Sequence, residues 1–131
     1  MLISRSDKGG FTLIEVLVAM VIMMVGLLGL LQSINIALEH NLRNQFREQA
    51  VALGENQINL FRNQFRNQTS VTFPNYTRAT VKIRSIDKQF DVYRTSSPAS
   101  DVSRELEVRV KWSFKGIETQ HVVKSLATIS Y

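Results

Sequence analysis

Between residues 11 and 31 the chain runs 21 residues in which only Thr12 and Glu15 are polar, and nothing else in its 131 residues resembles that stretch. As a helix rising ~1.5 Å per residue it would reach ~31 Å, about the hydrocarbon thickness of a bilayer. A cleaved secretory signal fits poorly, because its apolar part is roughly 7–15 residues long and ends at a small-x-small cleavage site. This run leads instead into more helix-forming sequence. Arg5 and Lys8 precede it and predict an amino terminus held on the cytoplasmic side of a membrane.

A plain anchor leaves Glu15 unexplained. A carboxylate in the first turn of a lipid-embedded helix costs on the order of 2–4 kcal/mol unless it is paired or close to the interface. One account is local: Thr12-x-x-Glu15 has capping-box spacing, and an acid near a helix start complements the dipole. The other is a partner cation. At 100° per residue, Ala19, Gly26, Gly29, Ser33 and Ala37 all fall within about 40° of Glu15. One face of the helix thus carries the acid and nearly all the small residues, and small residues let helices approach closely in apolar surroundings.

The helical pattern continues past Leu31. Leu38, Leu42, Phe46, Ala50, Leu53, Phe61 and Phe65 form a stripe at steps of three, four and eight, with Gln57 in its gap, and no proline occurs between residues 11 and 73. This predicts a half-buried helix to about Gln68 whose stripe meets a sheet, with Gly54 a weak point at which a break is conceivable. Beyond it, residues 69–77 contain Pro74 and read as a loop, residues 80–86 as a strand and residues 90–93 as a short partner strand. Residues 95–101 read as a loop by composition. The strongest strand is 106–114, where Leu106, Val108, Val110, Trp112 and Phe114 alternate with Glu107, Arg109, Lys111 and Ser113. Lys115-Gly116 supplies a turn into an antiparallel return over 118–130. A two-residue turn there would set His121 opposite Val110. The fold class is α+β: a long amino-terminal helix packed on a small antiparallel sheet.

Charge and composition exclude more than they assign. The net charge of +5 is concentrated at the end: residues 68–131 carry ten Lys/Arg against six Asp/Glu, while 11–67 balance to zero. Spread over alternating strand positions, that excess reads as a solvated face rather than a nucleic-acid footprint. Cysteine is absent, which removes disulfides, thiolate metal sites and cysteine nucleophiles. His40 and His121 sit on different elements without a second ligand at metal spacing. Asp87, Asp91 and Asp101 lack EF-hand spacing. The Asn67-Gln-Thr69 and Asn75-Tyr-Thr77 acceptor patterns read as coincidence. Phosphate loops and nucleophile motifs are missing, so the expectation is no enzyme, no cofactor and no metal.

The residues around Glu15 bear on its two accounts. Lys8-Gly9-Gly10-Phe11-Thr12-Leu13-Ile14-Glu15 resembles the processing motif of type IV pilins and pseudopilins: a short basic leader, Gly, then Phe-Thr-Leu-Ile-Glu. The resemblance implies that a prepilin peptidase cuts between Gly10 and Phe11 and that the new amine of Phe11 is methylated. It also implies that Glu15 pairs with the amino group of a neighbouring subunit during assembly. The corresponding division is a leader over 1–10, a membrane or filament-core helix over 11–31, its amphipathic continuation over 32–68 and a β-sheet head over 69–131. Partners would be other pilin subunits, the peptidase and an inner-membrane assembly platform. The location would be the bacterial inner membrane with the head in the periplasm, then the filament. Many pilins kink their helix at a proline just past the first apolar segment; Gln32 and Ser33 stand there in this chain, so no kink is assumed. Gly26-Leu-Leu-Gly29-Leu and the carboxy-terminal hairpin look like those of PilV-type minor pilins. An I-type minor pseudopilin of a type II secretion system, or a pilus-tip subunit that binds DNA or surfaces through a basic head, stays open beside that reading.

Overall fold

The computed structural model describes residues 9–66 and 74–128. It contains one helix, α1 (Leu13–Arg66), followed by four strands: β1 (Tyr76–Ile83), β2 (Ile86–Pro98), β3 (Ser103–Phe114) and β4 (Ile117–Thr128). The strands form an antiparallel sheet in the order β1-β2-β3-β4. The chain divides into two units, residues 1–40 and 41–131, with α1 contributing to both. The α+β, pilin-like architecture expected from the sequence is thus observed: a long amino-terminal helix and an antiparallel four-stranded sheet.

In the second unit the alternation of β3 does what a half-buried strand must. Leu106, Val108, Val110 and Trp112 are buried, while the residues between them face the other side. Phe90 and Val92 of β2 and Ile83 of β1 lie on the same face, as do Val123 and Ala127 of β4. Phe46, Ala50 and Ile58 of α1 complete the core, with Leu53, Phe61 and Phe65 partly buried against it. Fully burying side chains of the size of Phe90 and Leu106 contributes about 1.5–3 kcal/mol each. Phe46 meets Phe114 edge-on at 5.3 Å between ring centres.

Two-residue turns hold the outer hairpins. Lys115 (φ 49°) and Gly116 (φ 79°) are both in the left-handed region, as a type I′ turn requires. The resulting register sets Val110 opposite His121, as the turn length predicts. Ile83 pairs with Ile86 across Arg84-Ser85, so Ile86 opens β2 rather than ending β1.

Four expectations need correction. The predicted loop over 69–77 yields to β1 from Tyr76 onward, while its part up to residue 73 and the last two residues of the predicted helix lie outside the described residues. The short strand over 90–93 is a 13-residue strand, and Thr95, Ser96, Ser97 and Pro98 of the predicted loop belong to it. Those four pair with Glu107, Leu106, Glu105 and Arg104. Among the described residues β1 pairs with β2 only as far as Tyr76 opposite Tyr93, so Pro98 has no described ladder partner on that side for its missing N–H to fail.

The helix correction concerns Gly54, which the sequence marks as a weak point. α1 passes through it unbroken, and Gly54 is buried. A Cβ there would lie 3.1 Å from Val123 Cγ2, 3.5 Å from His121 Cδ2 and 3.6 Å from Val110 Cγ2. Gly54 is therefore the point of close approach between helix and sheet. The fully buried line accordingly runs Phe46, Ala50, Gly54, Ile58 at a strict spacing of four, and Leu53 of the expected stripe packs partly buried against the same core.

Gln57 has a reason as well. Arg94, on the helix-facing side of β2, is only 5% exposed. Its guanidinium donates to the Gln57 side-chain carbonyl, to Thr77 Oγ1 at 2.8 Å and to the Pro74 carbonyl at 3.0 Å. Burial lowers its pKa from the ordinary arginine value. The polar interruption in the apolar stripe is thus the acceptor for a buried cation.

On the opposite face, Asp91 accepts from the Tyr76 hydroxyl at 2.7 Å and from Arg78 Nε at 2.9 Å. The Arg78 hydrogen bond holds the Asp91 carboxyl below its usual value, with Tyr76 adding to the effect. A carboxyl so depressed stabilises the fold above its unfolded pKa and ceases to do so as pH falls through the folded one. Asp91→Asn should therefore flatten the loss of melting temperature below about pH 4 relative to the unaltered chain. Identical acid profiles would show that the pair contributes nothing.

At Gly54, Gly54→Leu should lower unfolding stability by about 1–3 kcal/mol through overpacking, measured by denaturant unfolding in detergent. Adding Val123→Ala should recover part of the loss. A Gly54→Leu chain as stable as its parent would contradict the close approach.

Candidate assembly site at the helix start

Every described residue from 9 to 38 is exposed. The apolar side chains of the first unit stand open to a degree that a water-soluble surface does not sustain, from 44% at Val16 to 90% at Phe11. α1 is long and apolar enough to cross a membrane in its first part. The surface therefore calls for lipid or other apolar helices around it.

Helix α1 begins at Leu13 with Thr12 as its cap. The Thr12 carbonyl accepts from the backbone N–H groups of Glu15 (3.1 Å) and Val16 (3.3 Å). The Thr12 N–H donates to Glu15 Oε2 at 2.9 Å, and the Glu15 N–H reaches Thr12 Oγ1 at 3.3 Å. This is the reciprocal capping box that the spacing allows. It satisfies two amide groups otherwise orphaned at a helix start and sets the carboxylate where the helix dipole favours it. A carboxylate offers about four lone-pair directions, so a single N–H contact leaves Glu15 able to accept a cation as well.

Gly10 and Phe11 stand just ahead of the helix, outside regular structure and exposed. A peptidase needs its scissile bond free of helical hydrogen bonding, and this stretch meets that condition. Ala19, Gly26, Gly29, Ser33 and Ala37 all lie on α1 and are exposed. A Cβ added at Gly26 or Gly29 would meet nothing within 4 Å. Inside the chain these glycines thus have no packing role, although each costs the helix about 1 kcal/mol relative to Ala.

The residues considered for other chemistry belong to different elements. His40 is on α1 in the first unit and His121 in β4 of the second. Asp91 is engaged by Arg78 and Tyr76, and among the described residues no group of three His, Asp or Glu could hold a metal ion. The Asn75 carbonyl accepts from the Arg94 backbone N–H, which ties that acceptor-like tripeptide into the sheet. Sequence reasoning missed the Arg94 cluster entirely. Its only local sign is the polar Gln57 within an apolar stripe.

Residues 5–31 match the family model of the prokaryotic N-terminal methylation motif. No curated protein and no solved structure shows a significant match to the chain. The motif, with the apolar helix behind it, supports a type IV pilin-like or pseudopilin-like protein, a structural subunit rather than an enzyme. It implies processing by a prepilin peptidase and assembly with other pilins, and it fits anchoring in an inner membrane followed by incorporation into a pilus.

Thr12→Ala removes the hydroxyl acceptor of the capping box, which should cost the first turn about 1 kcal/mol. The expected readout is faster amide hydrogen exchange at Glu15 in the detergent-solubilised chain. Unchanged exchange would mean that the box is not formed.

Proposed function

We propose that the chain is a minor type IV pilin, closest to the PilV type, which takes part in pilus assembly or initiation. In this reading prepilin peptidase cuts between Gly10 and Phe11, the amine of Phe11 is N-methylated, and the head enters the periplasm while residues 11–31 stay in the inner membrane. The observation that carries the reading is the methylation motif placed on an exposed, non-helical junction directly ahead of a capped apolar helix.

The physics of assembly follows from the cut. Cleavage creates an ammonium group at Phe11, and an apolar helical bundle has few ways to neutralise it. Charges within a membrane take partners, and Glu15 is the only acid between residues 11 and 31. A contact between the ammonium of one subunit and the Glu15 carboxylate of the next would neutralise both charges and set the axial register between subunits. The face bearing Ala19, Gly26, Gly29, Ser33 and Ala37 would let the helices approach closely enough for that contact.

Two variants separate the charge of Glu15 from its capping function. Glu15→Gln keeps a carbonyl that can accept from Thr12 N–H but removes the charge. Thr12→Ala weakens the cap but keeps the charge. In filament-bearing cells the mature chain should begin at N-methylated Phe11 by mass and terminal sequencing. Glu15→Gln should be processed yet missing from sheared filaments, whereas Thr12→Ala should assemble. An intact Met1, a cut elsewhere, or normal incorporation of Glu15→Gln would overturn the proposal.

A further inference from the structure

Among the described residues the sheet of the second unit ends on two unpaired edges, the outer sides of β1 and β4. Such an edge presents a row of free N–H and C=O groups, and proteins commonly blunt it with a proline, a bulge or a charge turned inward. β4 has none of these. It holds no proline, pairs with β3 residue for residue from Ile117 to Thr128, and turns no acid, lysine or arginine toward α1. Its lysine, Lys124, reaches back over its own sheet to Glu105 and Glu107, and Val122 and Leu126 beside it are exposed.

The two edges match each other. Residues flanking a two-residue type I′ turn form a hydrogen-bonded pair, so Ile117 bonds back to β3. Hydrogen-bonded and open positions alternate, which points the backbone groups of Glu118, Gln120, Val122 and Lys124 outward. In the lead into β1 the Asn75 carbonyl accepts from the Arg94 N–H at 2.8 Å. The same alternation then points the backbone groups of Tyr76, Arg78, Thr80 and Lys82 outward. Both outward sets carry their side chains on the face away from α1, since the residues between them include the core positions Val123, Ala79, Val81 and Ile83. β4 of one copy against β1 of another therefore satisfies the backbone and keeps both faces of the sheet in phase.

Direction agrees with this pairing. Phe46 meets Phe114, Gly54 approaches Val110, and the Arg104 guanidinium lies 6.0 Å from the centre of the Phe65 ring, so this stretch of α1 runs against β3. In the antiparallel order β1 also runs against it and β4 runs with it. Copies that repeat one helix direction thus bring β4 and β1 together antiparallel, as neighbours within the sheet already are. An antiparallel β4–β4 contact would require opposed helices.

We propose that the free edge of β4 receives β1 of a second copy of this chain, antiparallel, with Glu118 opposite Lys82. The repeated helix direction rests on the assembly proposed above, while the edges belong to the head itself. In this register the whole of β1 pairs with residues 117–124, Ile117 meets Ile83, and Lys124 meets Tyr76. Among the described residues neither Glu118 nor Lys82 makes an ion pair, although Lys82 stands across from Asp87 in its own sheet. A slip of two residues one way would set Lys124 opposite Arg78, and like charges directly opposite are destabilising. The same slip the other way would carry Lys82 past the start of β4.

The chain has no cysteine, so introduced cysteines can pair only with each other. Full-length Thr119→Cys and Val81→Cys copies are reconstituted together in lipid vesicles and oxidised mildly. Residues 119 and 81 would form a non-hydrogen-bonded pair, whose side chains lie close enough for a disulfide. A mixed disulfide dimer is expected, and Thr119→Cys alone should give none. Adding Gln120→Pro to the Thr119→Cys copy removes an outward N–H that β3 does not use. It should abolish the cross-link and leave thermal unfolding in place. Glu118→Lys in the Thr119→Cys copy should lower the cross-linked yield, and Lys82→Glu in the other copy should restore it. No mixed dimer, an equal yield from Thr119→Cys alone, or a yield unmoved by the charge changes would overturn the inference. The cross-link is read in vesicles and the Glu15→Gln variant in filaments, so failure of the edge and failure of the proposed assembly are told apart.

Discussion

The head depends on one contact line, the seam where α1 lies against the sheet. Its centre holds the smallest residues the helix can offer, Ala50 and Gly54, and its ends hold Phe46 and Ile58. That order has a geometric cause. A straight helix laid on a twisted sheet is closest at one point and diverges on either side, so side-chain size must grow away from the contact. Gly54 marks the closest point, against Val110, His121 and Val123. The aromatic pair Phe46–Phe114 fills the wider gap toward one end. Leu106, Val108 and Val110 have no exposed surface because β3 is an inner strand with helix above it and partners on both sides.

With no cysteine available, the far end of that seam is held by a polar cluster instead. Arg94 joins α1, β1 and the segment leading into β1 through Gln57, Thr77 and the Pro74 carbonyl. A buried guanidinium loses much hydration, and its hydrogen bonds have to offset that loss. What it supplies in return is register: sliding the helix along the sheet by one turn would bury Arg94 without Gln57. An apolar contact at the same place would tolerate such a slide far more readily, because the hydrophobic effect is not directional.

The sequence disclosed these elements unequally, for physical reasons. The alternation in β3 was legible because one face of it meets an apolar core, and the Val110–His121 register followed from a two-residue turn. The full length of β2 was not, because Thr95, Ser96, Ser97 and Pro98 have the composition of a loop and are held by partners in β3. Gly54 was misleading for a related reason: propensity counts its cost to the helix, while its benefit belongs to a strand nearly seventy residues away in sequence. At the helix start the spacing of Thr12 and Glu15 announced a capping box, and the box forms.

The capping box bears on how an acid can sit in an apolar segment. An uncompensated carboxylate at this position would work against insertion, and an unsatisfied helix start would do the same, since backbone groups in lipid must find partners. In the capping box the two problems offset each other: Glu15 Oε2 accepts from Thr12 N–H, and the positive end of the helix dipole lies beneath the carboxylate. The acid is thereby accommodated within a single chain and does not require a neighbour in order to be stored. Nor is it used up, since one hydrogen bond occupies only part of its accepting capacity. A cation brought to the same carboxylate would add to the capping bond or replace it, and either exchange begins from a carboxylate already positioned by its own helix. In the proposed subunit the residue that makes storage in the membrane tolerable is thus also the residue that recognises the next amino terminus. The cap and the intersubunit contact are two uses of one charge.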